Sequence, residues 1–443
     1  MTATVRVEAA DAPVILDADV VVCGAGSAGL GAALAAARSG CRVALVERWP
    51  FFGGNATAAS LGSICGLYLR RGNDIEFLAG GITREWAEAL AASGMGVGAV
   101  PYKDTAVMPY VPWGYKRLAD RLISGEERIT PLLHSLIAGV VSSGDAIAAV
   151  VVATKKGFRA VRGRVFVDAT GDADVTYHAG CPWEMGTAGR LQYPSMQFYM
   201  QGADVEAAFG ELRTLADKIA AAYESGSYDL TRSAGAAIPT MRPGEMIGAM
   251  TRVATPSGEP PDGTDVFDLT AAEMRGREIV EEAARFLRNE VAGFASSFLQ
   301  DTAVTIGIRE TRHAVGDYVL GFDEAAACVK HDDGVAASAW PFEFHTEGAA
   351  TRWEHLPAGD WFEIPLRSLI ASGVSNLLVA GRCISATHEA LASSRVTGVC
   401  MAVGEAAGRA AATCVATDAA PADLDGVKLR AELVASGALR ERA

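Results

Sequence analysis

The sequence lacks the features that mark metalloproteins, secreted proteins and membrane proteins. Its eight cysteines are scattered and form no Cys-x-x-Cys pair. We therefore predict no zinc or iron–sulfur site, no dithiol redox motif and no bound metal. Residues 1–19 lack the basic start and apolar core of a secretory signal. No charge-free apolar run of about 18 residues resembles a membrane span. A cytoplasmic protein is therefore expected.

Basic residues are also in short supply. Lysine and arginine number 39 against 53 aspartates and glutamates, for a formal charge of -14. This balance argues against nucleic acid or an anionic membrane as a partner, and it says nothing about the substrate. With half of its residues apolar, the chain of 443 residues can bury a sizeable core. The sequence does not determine whether the chain forms a homo-oligomer.

The strongest positive signal is a strand–turn–helix–strand near the amino terminus. Residues 17–23 read as a buried strand, 24–29 as Gly-x-Gly-x-x-Gly, 30–38 as an alanine-rich helix and 41–46 as a second strand that ends on Glu47. Such glycines allow a tight turn, the approach of a pyrophosphate and close helix–strand packing. The helix N-terminus supplies free N–H groups for phosphates, and Glu47 can accept hydrogen bonds from ribose hydroxyls. The pattern predicts a dinucleotide site.

Three further segments contain glycine turns, and two of these turns follow a predicted strand. Gly53-Gly54-Asn55 offers a second close approach to a diphosphate, with an ordinary turn as the alternative. Residues 164–174 form a strand ending in an acid and a glycine turn, and 376–382 form another that ends on Gly381-Arg382. Residues 394–398 are expected to open an Ala/Gly-rich helix.

The middle of the chain changes character. We expect a loop at 94–112, one strand over 129–137, an acidic helix over 205–224 and a long helix over 270–291. Residues 191–300 are interpreted as a cap inserted into the nucleotide domain. The aromatic-rich stretch 340–362 is a second candidate wall of the same cleft. The candidate cleft residues, each of which could instead belong to the core, are Tyr115, Tyr193, Tyr199, Trp340 and His345.

Four stretches together resemble the FAD-dependent oxidoreductases with a glutathione-reductase-like nucleotide fold, in the group related to fumarate-reductase-type flavoproteins. They are residues 24–29 with Glu47, 168–174, 307–320 and 376–408. The last stretch is the most specific, because it resembles the segment that closes over the flavin in that family. That group has few defined substrates, so the resemblance fixes the cofactor better than the reaction.

The resemblance implies an α/β fold with an inserted α+β cap. Residues 1–190 and 301–443 would form a discontinuous, Rossmann-like FAD-binding domain of the glutathione-reductase type, and 191–300 the cap, with 322–365 as a further candidate wall of the cleft. The implied FAD-binding residues are Gly24, Gly26, Ser27, Ala28, Gly29, Glu47, Arg48, Gly53, Gly54, Asn55, Ile137 (or Leu136), Ala169, Thr170, Gly171, Gly381, Arg382, Arg395, Val396, Thr397 and Gly398.

The catalytic candidates are His388, Arg309 and His313. His388 lies between the Gly-Arg pair and Arg395, in a segment expected to be a loop beside the flavin, where it could transfer a proton or only pack. Arg309 and His313 would share a face if their segment were helical. They could bind a substrate carboxylate or polarise a carbonyl, or simply join an ion-pair network with Glu310 and Asp317. Cys65 is expected to be a buried thiol rather than a covalent flavin link.

The predicted function is hydride transfer between flavin N5 and a small organic substrate by a dehydrogenase or reductase. A flavin monooxygenase is the nearest alternative, and a flavoprotein with a structural or non-redox FAD is the third. There is only one full dinucleotide fingerprint, so a built-in NAD(P)H domain is not expected.

Overall fold

The computed structural model describes residues 11–187, 189–346, 348 and 350–442. The extreme ends of the expected FAD-binding domain, residues 1–10 and 443, lie outside this range.

The helices and strands alternate along much of the chain. The helices are α1 Ser27–Arg38, α2 Asn55–Ala58, α3 Gly81–Ala92, α4 Pro112–Ser124, α5 Asp174–His178, α6 Val205–Glu211, α7 Leu215–Ser225, α8 Val266–Glu290, α9 Phe322–Ala326, α10 His388–Ser394, α11 Thr397–Thr417 and α12 Gly426–Ala435. The strands are β1 Val14–Asp17, β2 Val20–Cys23, β3 Val43–Val46, β4 Ser63–Ile64, β5 Tyr68–Arg71, β6 Asp74–Phe77, β7 Val100–Tyr102, β8 Thr105–Pro109, β9 Ile129–Leu132, β10 Leu136–Ser143, β11 Ala146–Thr154, β12 Gly157–Arg162, β13 Val165–Asp168, β14 Trp183–Met185, β15 Phe198–Gln201, β16 Ala236–Pro239, β17 Met246–Ala249, β18 Phe298–Thr302, β19 Arg312–Ala314, β20 Gly334–Ser338, β21 Phe342–Phe344, β22 Arg352–Glu354, β23 Phe362–Pro365 and β24 Leu377–Val379.

A five-stranded parallel sheet, ordered β24-β13-β2-β3-β9, forms the centre of the molecule. Its inner strands are short, continuous apolar runs that are buried on both faces, as parallel strands require. One face packs against α1 and α11, and the other against a four-stranded sheet ordered β1-β12-β11-β10. The carboxyl ends of the parallel strands therefore point toward a crevice where α/β proteins bind ligands.

Helices α1 and α11 pack unusually closely above this sheet. A Cβ atom at Gly404 would lie 2.0 Å from the Ala28 carbonyl oxygen, and one at Gly408 would lie 2.2 Å from that of Ala32. The glycines of α11 therefore let the two backbones touch, which brings both helix N-termini to the same crevice.

Residues of the expected cap segment build a separate hydrophobic core. The antiparallel sheet β16-β17-β15-β18 packs with α7 and α8 around a cluster that includes Phe198, Ile219, Met246, Phe286 and Phe294. The N-cap residue of the long helix α8 is Asp265, whose side chain accepts hydrogen bonds from the N–H groups of Phe267 and Asp268.

Several expected boundaries were wrong, each for a local reason. The expected loop at 94–112 contains the hairpin β7–β8, whose alternation is masked by Pro101 and Pro109. The expected strand over 129–137 is two strands, β9 and β10, because His134 adopts a positive φ of 56° between them. The expected acidic helix is two helices, α6 and α7, and the long helix begins earlier, at Val266.

Helix α11 meets the length and composition of a membrane span, which the sequence analysis did not anticipate. Its apolar window is 72% buried inside the structure. The helix also carries Glu405 and Arg409, which form an ion pair. Burial of this kind is typical of a core helix. Of the eight cysteines, seven are buried, Cys65 is half-buried, and all eight are free thiols.

Candidate functional site

A cavity of about 1000 Å³ opens at the carboxyl ends of the central parallel strands. Its walls come from the glycine turns after β2 and β13, from the segment after β24, and from β16 and the strand ends of the second core. The cavity therefore extends from the predicted nucleotide site to the cap segment.

In the first glycine turn, neighbouring backbone atoms leave no room for a side chain at Gly24 or at Gly29. Gly24 has a φ of +94°, and a Cβ atom there would lie 2.4 Å from the Ala169 carbonyl oxygen. A Cβ atom at Gly29 would lie 1.7 Å from the Gly24 carbonyl oxygen. Gly26 is different, because its Cβ atom would meet nothing closer than Gly54 Cα, at 3.8 Å. Gly26 lines the cavity, so a side chain there would enter the space.

The second glycine turn lies directly against the first. The Gly53 N–H donates to the Ala25 carbonyl oxygen at 2.8 Å, and Gly26 pairs with Gly53 in a parallel bridge. Two backbone turns and the N-terminus of α1 thus meet on one side of the cavity. Helix α1 has no side-chain cap and no acidic residue in its first turn, so its free N–H groups and positive dipole end are available to a diphosphate.

Glu47 stands at the end of β3, where the motif places it. One carboxylate oxygen accepts the Ala25 N–H at 2.7 Å and the other accepts the Trp49 N–H at 2.9 Å. Burial raises the pKa of Glu47, although these backbone hydrogen bonds oppose the rise. The residue therefore braces the glycine turn as well as lining the cavity.

Arg382 carries a buried, unsatisfied donor beside the cavity. Its Nη2 donates to Asp172 at 3.0 Å, while Nη1 is buried without a hydrogen-bond partner among the residues that the structure describes. Burial alone would raise the pKa of Asp172, but Arg382 and Arg48 lower it. Because an unpaired buried donor is costly, Nη1 fits a ligand that brings its own acceptors, such as a phosphate or a polyol chain.

Helix α11 begins at the cavity wall. Its N-cap residue Val396 and its first residue Thr397 line the cavity, with Arg395 immediately before them. Gly398 lies behind the wall, where its N–H donates to the Cys65 carbonyl oxygen at 2.9 Å. The positive end of a helix of 21 residues therefore faces the cavity and favours negative charge there.

The structure brings most of the predicted cofactor residues to this one cavity. All of them line it except Gly29 and Gly398, which pack just behind the wall. Both Leu136 and Ile137 reach it. The glycine cradle, the free helix N-termini and the unpaired Arg382 donor fit a long dinucleotide such as FAD.

The three predicted catalytic residues do not meet at the cavity. Arg309 lines it and donates from Nη1 to the Tyr193 carbonyl oxygen at 2.6 Å and to Ser195 Oγ at 3.0 Å. Burial lowers the pKa of Arg309 to about 9, and the neighbouring Arg395 adds to this effect.

His388 and His313 are buried and are not among the residues that line the cavity. His388 begins helix α10 rather than lying in a loop, and its Nδ1 is 2.7 Å from Glu310 Oε1. The other Glu310 oxygen accepts the Gln192 N–H at 3.0 Å, and Gln192 accepts a hydrogen bond from Arg395. His388 thus connects to the cavity through two residues.

The expected helical pairing of Arg309 with His313 is wrong. Residues 307–311 are irregular, and His313 lies in β19, opposite Glu184 of β14. Burial lowers the pKa of His313, and its Nδ1 has no hydrogen-bond partner in the described part of the structure. Of the proposed ion-pair network, the structure shows the contact between Glu310 and His388, whereas Asp317 accepts a hydrogen bond from Ser372.

Sequence reasoning named Trp340 and His345 as candidate cleft residues, and both line the cavity. Tyr115, Tyr193 and Tyr199, which were also candidates, are not among its lining residues. Cys65 lines the cavity, and burial raises the pKa of its thiol.

Four further lining residues were not singled out, namely Tyr102, Arg232, Glu343 and Trp353. Glu343 and Trp353 lie in the aromatic-rich stretch that was expected to face the cleft. Pro101 and Pro109 masked the hairpin that carries Tyr102, and nothing local distinguishes Arg232.

Comparison with known proteins gives one strong match. A model of the family described as FAD dependent oxidoreductase matches residues 19–433. No curated protein matches the chain. FAD is therefore the cofactor of this chain, which confirms the prediction that the resemblance implied.

Solved structures resemble the chain in fold at low sequence identity. A geranylgeranyl bacteriochlorophyll reductase-like protein from Thermoplasma acidophilum aligns with a TM-score of 0.51 and 14% identity, over 95% of this chain and 84% of that one. An anhydrotetracycline hydroxylase from Streptomyces rimosus aligns with a TM-score of 0.43 and 14% identity, over 95% and 66%. GidA of Aquifex aeolicus aligns with a TM-score of 0.44 and 14% identity, over 94% and 67%.

Proposed function

Because the chain belongs to the family of FAD-dependent oxidoreductases, we propose that it is a dehydrogenase or reductase that transfers a hydride between flavin N5 and a small organic substrate. When bound, FAD supplies the hydride chemistry and the protein orients and tunes it. The formal charge of -14 supports a small molecule rather than a nucleic acid as the partner.

The observation that carries this proposal is the continuity of the cavity. The glycine turns at Gly26 and Gly54 line one part of it, and Arg309, Glu343 and His345 line another. A cofactor held at the glycine turns and a substrate held by the polar side chains would therefore share one continuous cavity. A shared space of this kind is what direct transfer between two bound molecules requires.

The chain supplies two groups suited to the charge that such a transfer creates. The N-terminus of α11 faces the cavity and stabilises negative charge by about 0.3–1 kcal/mol at an exposed site, and by more when buried. Arg309 has one nitrogen fixed by Tyr193 and Ser195, and its other N–H groups have no partner among the described residues. These groups can hold or polarise a substrate oxygen in the cavity.

His388 is better described as a positioning residue than as a proton donor in direct contact with substrate. Its contact with Glu310 supports Gln192, which in turn holds Arg395 at the cavity wall. We therefore expect a His388→Gln variant to retain FAD. The ratio of its change in KM for substrate to its change in kcat should be larger than the same ratio for Arg309→Ala.

The decisive experiment is anaerobic reduction of the purified holoenzyme. The protein should be yellow, with one FAD per chain, and one or more metabolites from a panel of small organic acids, alcohols and amines should bleach the visible absorption. A folded, colourless preparation that takes up no FAD would contradict the cofactor assignment. Hydroxylated product formed from oxygen would favour the monooxygenase alternative, and inertness to every reductant would favour a structural FAD.

A further inference from the structure

Three arginines of the cavity have no carboxylate partner among the described residues. Arg232 donates from Nη2 to Thr351 Oγ1 at 2.6 Å, and Arg395 donates from Nη2 to Gln192 Oε1 at 2.9 Å and to the Glu343 carbonyl oxygen at 3.1 Å. Arg309 is held only by the neutral oxygens of Tyr193 and Ser195. Among the described residues, none of these three guanidinium groups forms an ion pair. We call Arg232, Arg309 and Arg395 the arginine cluster.

Two members of the arginine cluster also present unsatisfied donors. The Nε atoms of Arg232 and Arg395 are buried and have no hydrogen-bond partner within the described part of the chain. Both residues line the cavity. Because a buried donor without a partner is unfavourable, these atoms call for an acceptor supplied by a ligand.

The charge around the cluster is unbalanced. Glu343 is the carboxylate that acts on all three arginines, and its side chain is already engaged with His345 Nε2 at 2.9 Å. Burial and the proximity of Arg309 hold the pKa of His345 well below its usual value, so the imidazole is neutral. Glu310 also acts on Arg395, and its side chain is engaged with His388. Two carboxylates against three guanidinium groups still leave an excess of positive charge that an anion would neutralise.

An aromatic surface lies at the same cavity. The rings of Tyr102 and Trp340 are parallel within 2° with centroids 6.3 Å apart, and Trp353 meets Trp340 edge-on at 6.2 Å. Trp353 lies opposite Glu343 in the β21–β22 pair, and the Glu343 carbonyl oxygen accepts a hydrogen bond from Arg395. This surface therefore lies beside the arginine cluster on the wall of the same cavity. We call Tyr102, Trp340 and Trp353 the aromatic wall. Such faces favour a flat apolar group.

We propose that the arginine cluster binds the carboxylate of an aromatic carboxylic acid whose ring lies against the aromatic wall, and that this acid is the class of substrate. The inference rests on the proposed function, because it assigns the substrate of the same FAD-containing cavity. Guanidinium groups bind carboxylates in a bidentate geometry that alcohols and amides cannot reproduce, which sets the specificity.

The test uses the FAD-loaded protein and benzoate as the probe. FAD content is first measured by absorbance, and binding is then followed by isothermal titration and by the change in the visible flavin spectrum. Benzoate should bind at least about tenfold more tightly than benzamide, its neutral isostere, because the charged hydrogen bonds are lost. Cyclohexanecarboxylate, which keeps the charge but not the flat ring, should bind more weakly than benzoate.

Variants separate the arginine cluster from the general charge of the protein. Arg232→Gln and Arg309→Gln should each retain FAD and lose about tenfold or more in benzoate affinity. Arg117→Gln removes an exposed arginine that pairs only with Asp120 and should leave benzoate affinity unchanged. If an arginine variant fails to fold, the comparison of benzoate with benzamide on the unmodified protein still decides.

The outcomes distinguish this inference from the proposed function. A yellow protein that binds benzamide as well as benzoate, or neither of them, overturns the assignment of an aromatic acid but leaves the flavoenzyme proposal standing. Equal affinity for benzoate and cyclohexanecarboxylate overturns the role of the aromatic wall. A protein that takes up no FAD contradicts the proposed function itself.

Discussion

Replacement of Gly26 by valine should abolish FAD binding without unfolding the protein. Gly26 has a φ of -69° and a ψ of -174°, which any L-residue adopts. The added Cβ atom would sit 3.8 Å from Gly54 Cα, an ordinary contact. The free energy of unfolding without FAD should therefore change by less than about 1 kcal/mol. The side chain would enter the cavity where the two glycine turns meet.

The expected loss of affinity follows from the hydrogen bonds that the side chain would block. Each charged hydrogen bond from a backbone N–H to a phosphate is worth about 1.5–3 kcal/mol. Losing two of them at the N-terminus of α1 costs about 3–6 kcal/mol, which weakens the Kd for FAD by a factor of about 10²–10⁴. Steric exclusion of the diphosphate would add to this loss.

The assay pairs a thermal melt of the FAD-free protein with a titration of FAD followed by fluorescence. Gly210→Val is the matched control, since it adds the same side chain in helix α6, where a Cβ atom meets nothing within 4 Å. Gly29→Ala is the opposite case, because its Cβ atom would strike the Gly24 carbonyl oxygen at 1.7 Å and should destabilise the fold. Near-native FAD affinity in Gly26→Val would refute the assignment of this turn to the diphosphate.

Three further predictions concern other parts of the cavity. Glu47→Ala should weaken FAD binding by about 1–3 kcal/mol. It should also lower the melting temperature of the FAD-free protein, because the buried Ala25 N–H loses its acceptor. An unchanged melting temperature would show that the carboxylate does not brace the turn. NADH or NADPH alone should reduce the flavin slowly or not at all, measured by anaerobic stopped flow, and rapid saturable reduction would instead favour the monooxygenase alternative. Benzoate affinity should be constant near pH 7 and fall as the pH rises through about 9, because Arg309 then loses its proton and its positive charge; Arg309→Gln should lack this dependence, and a flat profile to pH 10 in the unmodified protein would contradict the role of Arg309.

The sequence by itself determined the nucleotide end of the site. Gly24, Gly26 and Glu47 belong to one strand–turn–helix–strand unit whose geometry is set by short-range sterics, so their positions follow from the order of residues alone. Gly381 and Arg382 were recognisable for the same reason, because each follows directly from the end of a buried strand. The structure places these segments at neighbouring strand ends, as parallel pairing requires.

Only the tertiary structure decided the other end of the cavity. Tyr102, Arg232, Arg309, Glu343 and Arg395 come from five separate segments, and no local pattern links them. Spacing in sequence was misleading for His313, because residues 307–311 are irregular and His313 enters a strand. The sequence placed His388 in a loop beside the flavin, whereas in the structure His388 begins helix α10 and contacts Glu310. Which side chains face a cavity between two hydrophobic cores depends on how those cores pack, and that packing is set by long-range contacts that a linear pattern does not encode.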